Sequence, residues 1–191
     1  MWDTLAVSAR PKLTSRRVRE LLDCDPERGT LTWRPRPGKP DFNAQWAGKP
    51  VGAVDPSTGY LRLMIDRKHQ YVHRIVWLHT KGWLPKQDLD HIDGDKTNCS
   101  ISNLRPATKT QNNSNRRVPR KTPGPRGAWL NPKTGKFQVN IWPGGGKRGQ
   151  SIYLGAYSSS EAAERAYQEA AEALHGPFAF TARPEPERRA A

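Results

Sequence analysis

An α+β chain built as two small modules is what this sequence predicts, and three observations predict it. Short strand-like runs bounded by turn residues fill the first half. A strictly alternating run followed by a capped amphipathic segment fills the last third. Between them lies a polar, basic, proline-containing stretch that reads as a linker. At 191 residues the chain has room for one ordinary domain or two small ones.

In chain order, residues 1–12 and 182–191 have the Pro-rich, charged composition of disordered tails. Residues 14–22 read as a short helix, with Thr14 or Ser15 as the cap and Val18, Leu21 and Leu22 on one face. Two hairpin signals follow: Pro26-Glu27-Arg28-Gly29 before Thr30-Leu31-Thr32-Trp33, and Pro56-Ser57-Thr58-Gly59 before Tyr60-Leu61-Arg62-Leu63-Met64-Ile65. From Tyr71 an apolar, helix-like segment, Val72-His73-Arg74-Ile75-Val76-Trp77-Leu78, runs to a stop at Gly82. Residues 116–123 form the basic linker. Beyond it, Phe137, Val139 and Ile141 alternate with Lys136, Gln138, Asn140 and Trp142, as on a half-buried strand. Residues 151–157 make a second strand. The capping-box pattern Ser158-Ser159-Ser160-Glu161 then opens a helix whose Ala163, Ala166, Tyr167, Ala170 and Leu174 share an apolar face ending near Gly176. Three strands packed under one helix are expected here.

Charge narrows the partner. The chain carries 32 Lys and Arg against 18 Asp and Glu, a formal +14, which points to a polyanion. The imbalance is local as well: no acidic residue occurs from 96 to 160, while Lys96, Arg105, Lys109, Arg116, Arg117 and others run through to Lys147 and Arg148. A solvated surface intersperses both signs, so a single-sign block favours phosphate contact. No run approaches the roughly 18 apolar residues that a membrane span requires, and no basic n-region precedes an apolar run at the start. A soluble, unsecreted protein is expected. Cys24 and Cys99 are far apart without Cys-x-x-Cys partners, which offers neither a zinc ribbon nor a disulfide framework.

The chemistry concentrates in Leu89-Asp90-His91-Ile92-Asp93-Gly94-Asp95, followed by Asn98, Ser102-Asn103-Leu104-Arg105 and Thr110-Gln111-Asn112-Asn113. Phosphodiester hydrolysis needs a base for water and a hard cation to offset charge on the phosphate and the leaving oxygen. Histidine, largely neutral near pH 7, suits the first task, while carboxylate and amide oxygens suit Mg²⁺. Taken alone, an Asp-His pair before Gly94 reads first as a turn with a surface histidine and only second as a site. An EF-hand is excluded, because no Glu follows before Glu161.

The set Val72-His73-Arg74, Asp90-His91-Ile92-Asp93-Gly94, Asn98, Asn103-Leu104-Arg105 and Asn112 resembles the phage-associated HNH (His-Asn-His) endonucleases of the homing type, over roughly residues 15–115. The upstream Asp25 to Trp33 and Ala47 to Tyr60 elements belong to the same resemblance. It implies a ββα-metal finger (core 71–115 of a nuclease domain spanning 13–115), in which a ribbon and a helix hold one divalent ion, Mg²⁺ or Mn²⁺. His91 matches the general base, Asp90 a metal ligand and Asn103 the central Asn that braces the loop. Asn112 takes the final His position, as in the family's HNN branch, with Asn113 as the alternative. His73 and Arg74 read first as helix packing and a surface charge beside the core, and the functional alternative sets Arg74, or Arg105, against the scissile phosphate. Double-stranded DNA is the implied partner, cleaved by nicking or a double-strand break, and the implied location is the cytoplasm of a phage host or bacterium, on its DNA. A rival reading is a sequence-specific DNA-binding regulator with an inactive HNH core.

Residues 124–181 resemble the apetala-2/ethylene-response-factor (ERF) DNA-binding domain, through Gly124-Pro125-Arg126-Gly127-Ala128-Trp129, Gly135 to Trp142, Tyr153-Leu154-Gly155-Ala156-Tyr157 and Glu161 to Tyr167. That family lays a three-stranded antiparallel sheet in the major groove. The resemblance puts Arg126, Trp129, Lys136, Gln138, Asn140, Trp142, Ser151 and Tyr153 at exposed strand positions. Trp129, Trp142 and Ser151 stand where typical members carry Arg, so the docking mode transfers and the specificity does not. Because the two constellations lie on either side of the linker, a chain ending after Arg120 is expected to keep the chemistry and lose the recognition.

Overall fold

A computed structural model describes residues 12–115, 125–143 and 151–179. The expected linker at 116–123, the 182–191 tail and nearly all of the 1–12 segment lie outside the described residues. The chain is α+β and divides into two compact units, one made of Met1–Lys86 with Lys96–Leu104, the other of Gln87–Asp95 with Arg105–Ala191. These units divide elsewhere than at residue 116: the Asp90-His91 segment falls in the same unit as the C-terminal sheet.

In the first unit, α1 (Ser15–Leu21) is capped by Thr14, whose side chain accepts from the Arg17 amide, and it buries Val18 and Leu21. The hairpin β1 (Leu22–Asp25) and β2 (Thr30–Trp33) pairs antiparallel from Leu22↔Trp33 to Asp25↔Thr30. Its turn requires glycine twice over: Gly29 has φ +67°, and a Cβ there would fall 2.1 Å from the Cys99 backbone carbon. A short helix α2 (Pro40–Trp46) follows, which no sequence pattern announced; it buries no residue, so it leaves no apolar face to read. Then β3 (Ala53–Val54), β4 (Leu61–Ile65) and β5 (Lys68–Tyr71) form an antiparallel sheet in that order. The β4–β5 turn sets Asp66 (φ 47°) and Arg67 (φ 63°) in left-handed backbone, the signature of a primed two-residue hairpin turn without its usual glycine. Helix α3 (Val72–Lys81) ends at Gly82 in the left-handed conformation, as expected. Val18, Leu22, Leu31, Leu63, Ile65, Val72, Ile75, Val76 and Cys99 close one core.

The second unit begins with β6 (Asp88–His91), which pairs with β7 (Leu104–Ala107); the division between units falls at the first residue of β7. Helix α4 (Lys109–Ser114) follows, opened by a reciprocal capping box between Thr108 and Gln111. Further on, β8 (Ala128–Asn131), β9 (Lys136–Ile141) and β10 (Ile152–Tyr157) form an antiparallel sheet in the order β10-β9-β8. Helix α5 (Ser160–His175) is capped by Ser159, whose hydroxyl accepts from the Ala162 amide, one residue after the Ser158 that the expected capping box with Glu161 requires, and it packs on β9 and β10. Val139, Ile141, Ala163, Ala171 and Ala179 are buried there, and a 3-10 turn, Gly176–Phe178, follows the helix.

Candidate active site and nucleic-acid face

Along β6, burial runs without alternation through Leu89, Asp90 and His91. Neighbouring strand residues ordinarily face opposite ways, so enclosing both needs cover on each side or an end to the strand. The strand does end there: the Gly94 amide donates to the His91 carbonyl at 2.9 Å, Gly94 has φ +73°, and Asp93 accepts from the Asp95 amide at 2.8 Å. Asp90 and His91 are each only 4% exposed. A carboxylate so enclosed must be compensated.

Two side chains compensate it. Arg105 on β7 donates Nε to Asp90 Oδ2 at 2.9 Å and brings Nη2 within 2.8 Å of the same oxygen as an ion-pair contact without hydrogen-bond geometry, with side-chain exposures of 15% and 5% for the pair. Asn115, the C-cap of α4, places Nδ2 within 3.0 Å of Asp90 Oδ2 and 3.2 Å of Oδ1, and it also reaches the carbonyls of His91 (2.8 Å) and Ile92 (3.4 Å). Asn115 is 4% exposed. It ties the end of α4 to the end of β6 while fixing the orientation of the carboxylate between them.

Of the residues singled out from sequence, the structure brings Asp90, His91 and Arg105 together. Asn112 is half-buried on α4 and Asn113 is exposed, so Asn112 is the more enclosed of the two. Arg105 is engaged with Asp90 and does not project freely toward a phosphate. Asn103 belongs to the first unit, where its Nδ2 donates to the Asn98 carbonyl at 2.8 Å and closes the turn between them. His73 is buried and stacks on Tyr71 at 5.5 Å and 19°, with Tyr60 at 5.4 Å, a packing role. Asn115 was missed. Its three-residue spacing from Asn112 puts both on one side of a helix, but that spacing does not by itself mark it as a partner of Asp90.

The donor set suits a hard ion. Among the described residues no group of three or more His, Cys, Asp or Glu side chains gathers, so an ion here would rest on few protein ligands, with the Asp90 carboxylate as the enclosed oxygen donor, and on water. Mg²⁺ accepts such a sparse oxygen set and keeps several waters. Asp90 Oδ2 carries both arginine contacts, whereas among the described residues Oδ1 has the 3.2 Å approach of Asn115 alone, which leaves lone-pair capacity on Oδ1.

A second surface is the sheet face opposite α5. Trp129 pairs directly with Gln138 and Tyr153 with Asn140, and directly opposed residues share a face. Trp129 and Tyr153 are 57% and 58% exposed, and Trp142, just past the end of β9, is 55% exposed. Lys136, two residues before Gln138, lies on the same side. Besides Trp142, two expected strand positions differ. Arg126 precedes β8, is half-buried, and sets its guanidinium 5.9 Å from the Tyr167 ring on α5, because the close seat of Gly127 against that ring draws the chain to the helix side. Ser151 is exposed but precedes β10.

Among the described residues no helix is long and apolar enough to cross a membrane. No curated protein matches the chain. A solved structure described as DNA binding and cleavage by the HNH homing endonuclease I-HmuI is similar at 26% identity and a TM-score of 0.36; the match covers 50% of this chain and 51% of that one, so the chain spans about half of that protein's length. Residues 70–114 match the family model described as HNH endonuclease. That match takes in Asp90, His91, Asn103, Arg105 and Asn112, stops one residue short of Asn115, and supports an HNH nuclease segment in this chain.

Proposed function

We propose that this chain is a metal-dependent DNA endonuclease of the HNH type, in the branch with Asn at the final position. The observation that carries the reading is the buried Asp90-His91 pair at the end of the β6–β7 ribbon, held by Arg105 inside the family-matched segment and by Asn115 one residue beyond it. His91 takes a proton from water on a ring nitrogen. Asp90 and Asn112 would hold Mg²⁺ or Mn²⁺, which when bound neutralises charge on the phosphate and leaving oxygen. Asn103 keeps the loop between the ribbon strands closed. Arg105 acts on Asp90 and not on the phosphate.

The C-terminal sheet, of ERF type, reads double-stranded DNA through Trp129, Lys136, Gln138, Asn140, Trp142 and Tyr153, with Arg126 and Ser151 at its edge. Residues 13–115 then form the nuclease part and 124–181 the reader, in a phage-type protein working on DNA in its host cell. Nicking of supercoiled plasmid with Mg²⁺, Mn²⁺ or EDTA tests the reading. The wild type should nick with metal and stop with EDTA, and His91→Ala should lose about 10²- to 10⁴-fold in rate with DNA affinity kept within a few-fold. Tight, footprinted binding without metal-dependent nicking would instead make the chain a regulator with an inactive core.

A further inference from the structure

The turn that follows α5 lies against the arginine that holds Asp90. Arg105 Nη1 donates to the Pro177 carbonyl at 2.7 Å, across 72 positions of sequence. The guanidinium carbon sits 3.8 Å from the centroid of the Phe178 ring. The 3-10 turn Gly176–Phe178 also packs on α4, and Ser114 Oγ lies 3.4 Å from His175 Nδ1. All of these residues belong to one compact unit.

We propose that Phe178, with the Pro177 carbonyl, is a positioning element of the nuclease site. A guanidinium is planar and has five N–H donors in a fixed fork. Here Nε donates to Asp90 Oδ2, Nη2 meets the same oxygen as an ion-pair contact only, Nη1 donates to Pro177 and one face is covered by an aromatic ring. Both arginine contacts therefore fall on Oδ2, and the carboxylate is held at a rotation that leaves Oδ1 the less saturated oxygen. Without the ring, the guanidinium can swing to share both oxygens, and Oδ1 is drawn away from a cation. The recognition module thus supplies part of the support of the chemical site. A chain ending after Arg120 loses that support together with the sheet, so the two functions are not separable by truncation.

This inference rests on the reading of Asp90 as the metal-holding carboxylate. Its test compares full-length Phe178→Leu, which keeps apolar bulk without the π face, with Phe178→Tyr, which keeps the ring. Mn²⁺ titration calorimetry should show a rise in Kd of roughly tenfold for the leucine variant and near wild-type binding for the tyrosine variant, the size expected when a residue supporting a ligand is lost. DNA affinity in EDTA should stay within twofold for both. Melting in EDTA adds a readout independent of metal: the Phe178→Leu shift should largely vanish in an Arg105→Lys background, since the ring then has no guanidinium to seat. A folded Phe178→Leu protein with the wild-type Mn²⁺ isotherm, or melting shifts that simply add, would overturn the positioning role while leaving the nuclease reading intact. Wild-type protein that neither takes up Mn²⁺ nor nicks DNA would overturn both.

Discussion

The β6–β7 ribbon and the free face of the C-terminal sheet handle their side chains in opposite ways. At the ribbon, charged and polar groups are buried and cross-braced: Asp90 at 4% exposure meets Arg105 and Asn115. On the sheet, large aromatics stand in water at 55 to 58% exposure. Each arrangement is costly unless something answers it. A buried carboxylate needs its partners within the fold, whereas an exposed cluster of Trp and Tyr among Lys, Gln and Asn is open to a partner from outside. The contrast separates a cross-braced, buried cluster from an exposed aromatic surface, although both lie in one compact unit.

The sharpest way to break the contrast is Arg105→Met. Removing one partner of a buried ion pair leaves the other charge uncompensated, and unfolding free energy should fall by about 3 to 5 kcal/mol. A loss below about 1 kcal/mol in denaturant melts would show that water already reaches Asp90. Asn115→Ala is next. It strips a donor from Asp90 and from the carbonyls of His91 and Ile92, so a loss of about 1 to 3 kcal/mol is expected, with weaker Mn²⁺ uptake by calorimetry; full retention of both would mean that Asn115 only fills space.

The sheet should behave in reverse. Trp129→Ala and Tyr153→Ala should leave melting within about 0.5 kcal/mol of wild type while weakening DNA binding by about 1 kcal/mol or more, roughly fivefold in Kd. Unchanged affinity with a lowered melting temperature would class them as packing residues. The smallest effect belongs to an exposed pair in the first unit, Arg17 with Asp66, whose contacts are 2.9 and 3.1 Å. The arginine hydrogen bond holds the Asp66 carboxyl below its ordinary pKa. The pair's contribution is therefore fully present above the ordinary carboxylate range and is lost as pH falls through the lowered value. Both side chains are about half exposed, so solvent screening limits it to about 1 kcal/mol or less. Asp66→Asn, which tolerates the left-handed turn, should flatten the acid limb of stability by that amount, and an unchanged limb would show that the pair contributes nothing.

Much of this was legible in the residues. Thr14, Gly82, Ser159 and the alternation from 136 to 141 carry local signals, since caps, left-handed glycines and a two-residue period act within a few positions of the chain. Helix α2 escaped notice because it buries nothing, and β3 because two residues are too few for a period. The Asp90-His91 pair stood out by chemistry. Asn115 did not, because an asparagine at a helix end has many ordinary uses and only its 2.8 to 3.4 Å approaches distinguish this one.

The sequence by itself determined the residue types at the site, the single-sign basic block from 96 to 160, and which strand residues share a face, because each depends on composition or local period. Tertiary structure alone decided that Arg105 faces Asp90, that Asn115 closes the ribbon, and that Pro177 and Phe178 seat the arginine. Those contacts join positions 15, 24 and 72 residues apart. No periodicity reaches so far: a guanidinium's partner is chosen by what packing brings within 3 Å of it, and packing is a property of the whole unit.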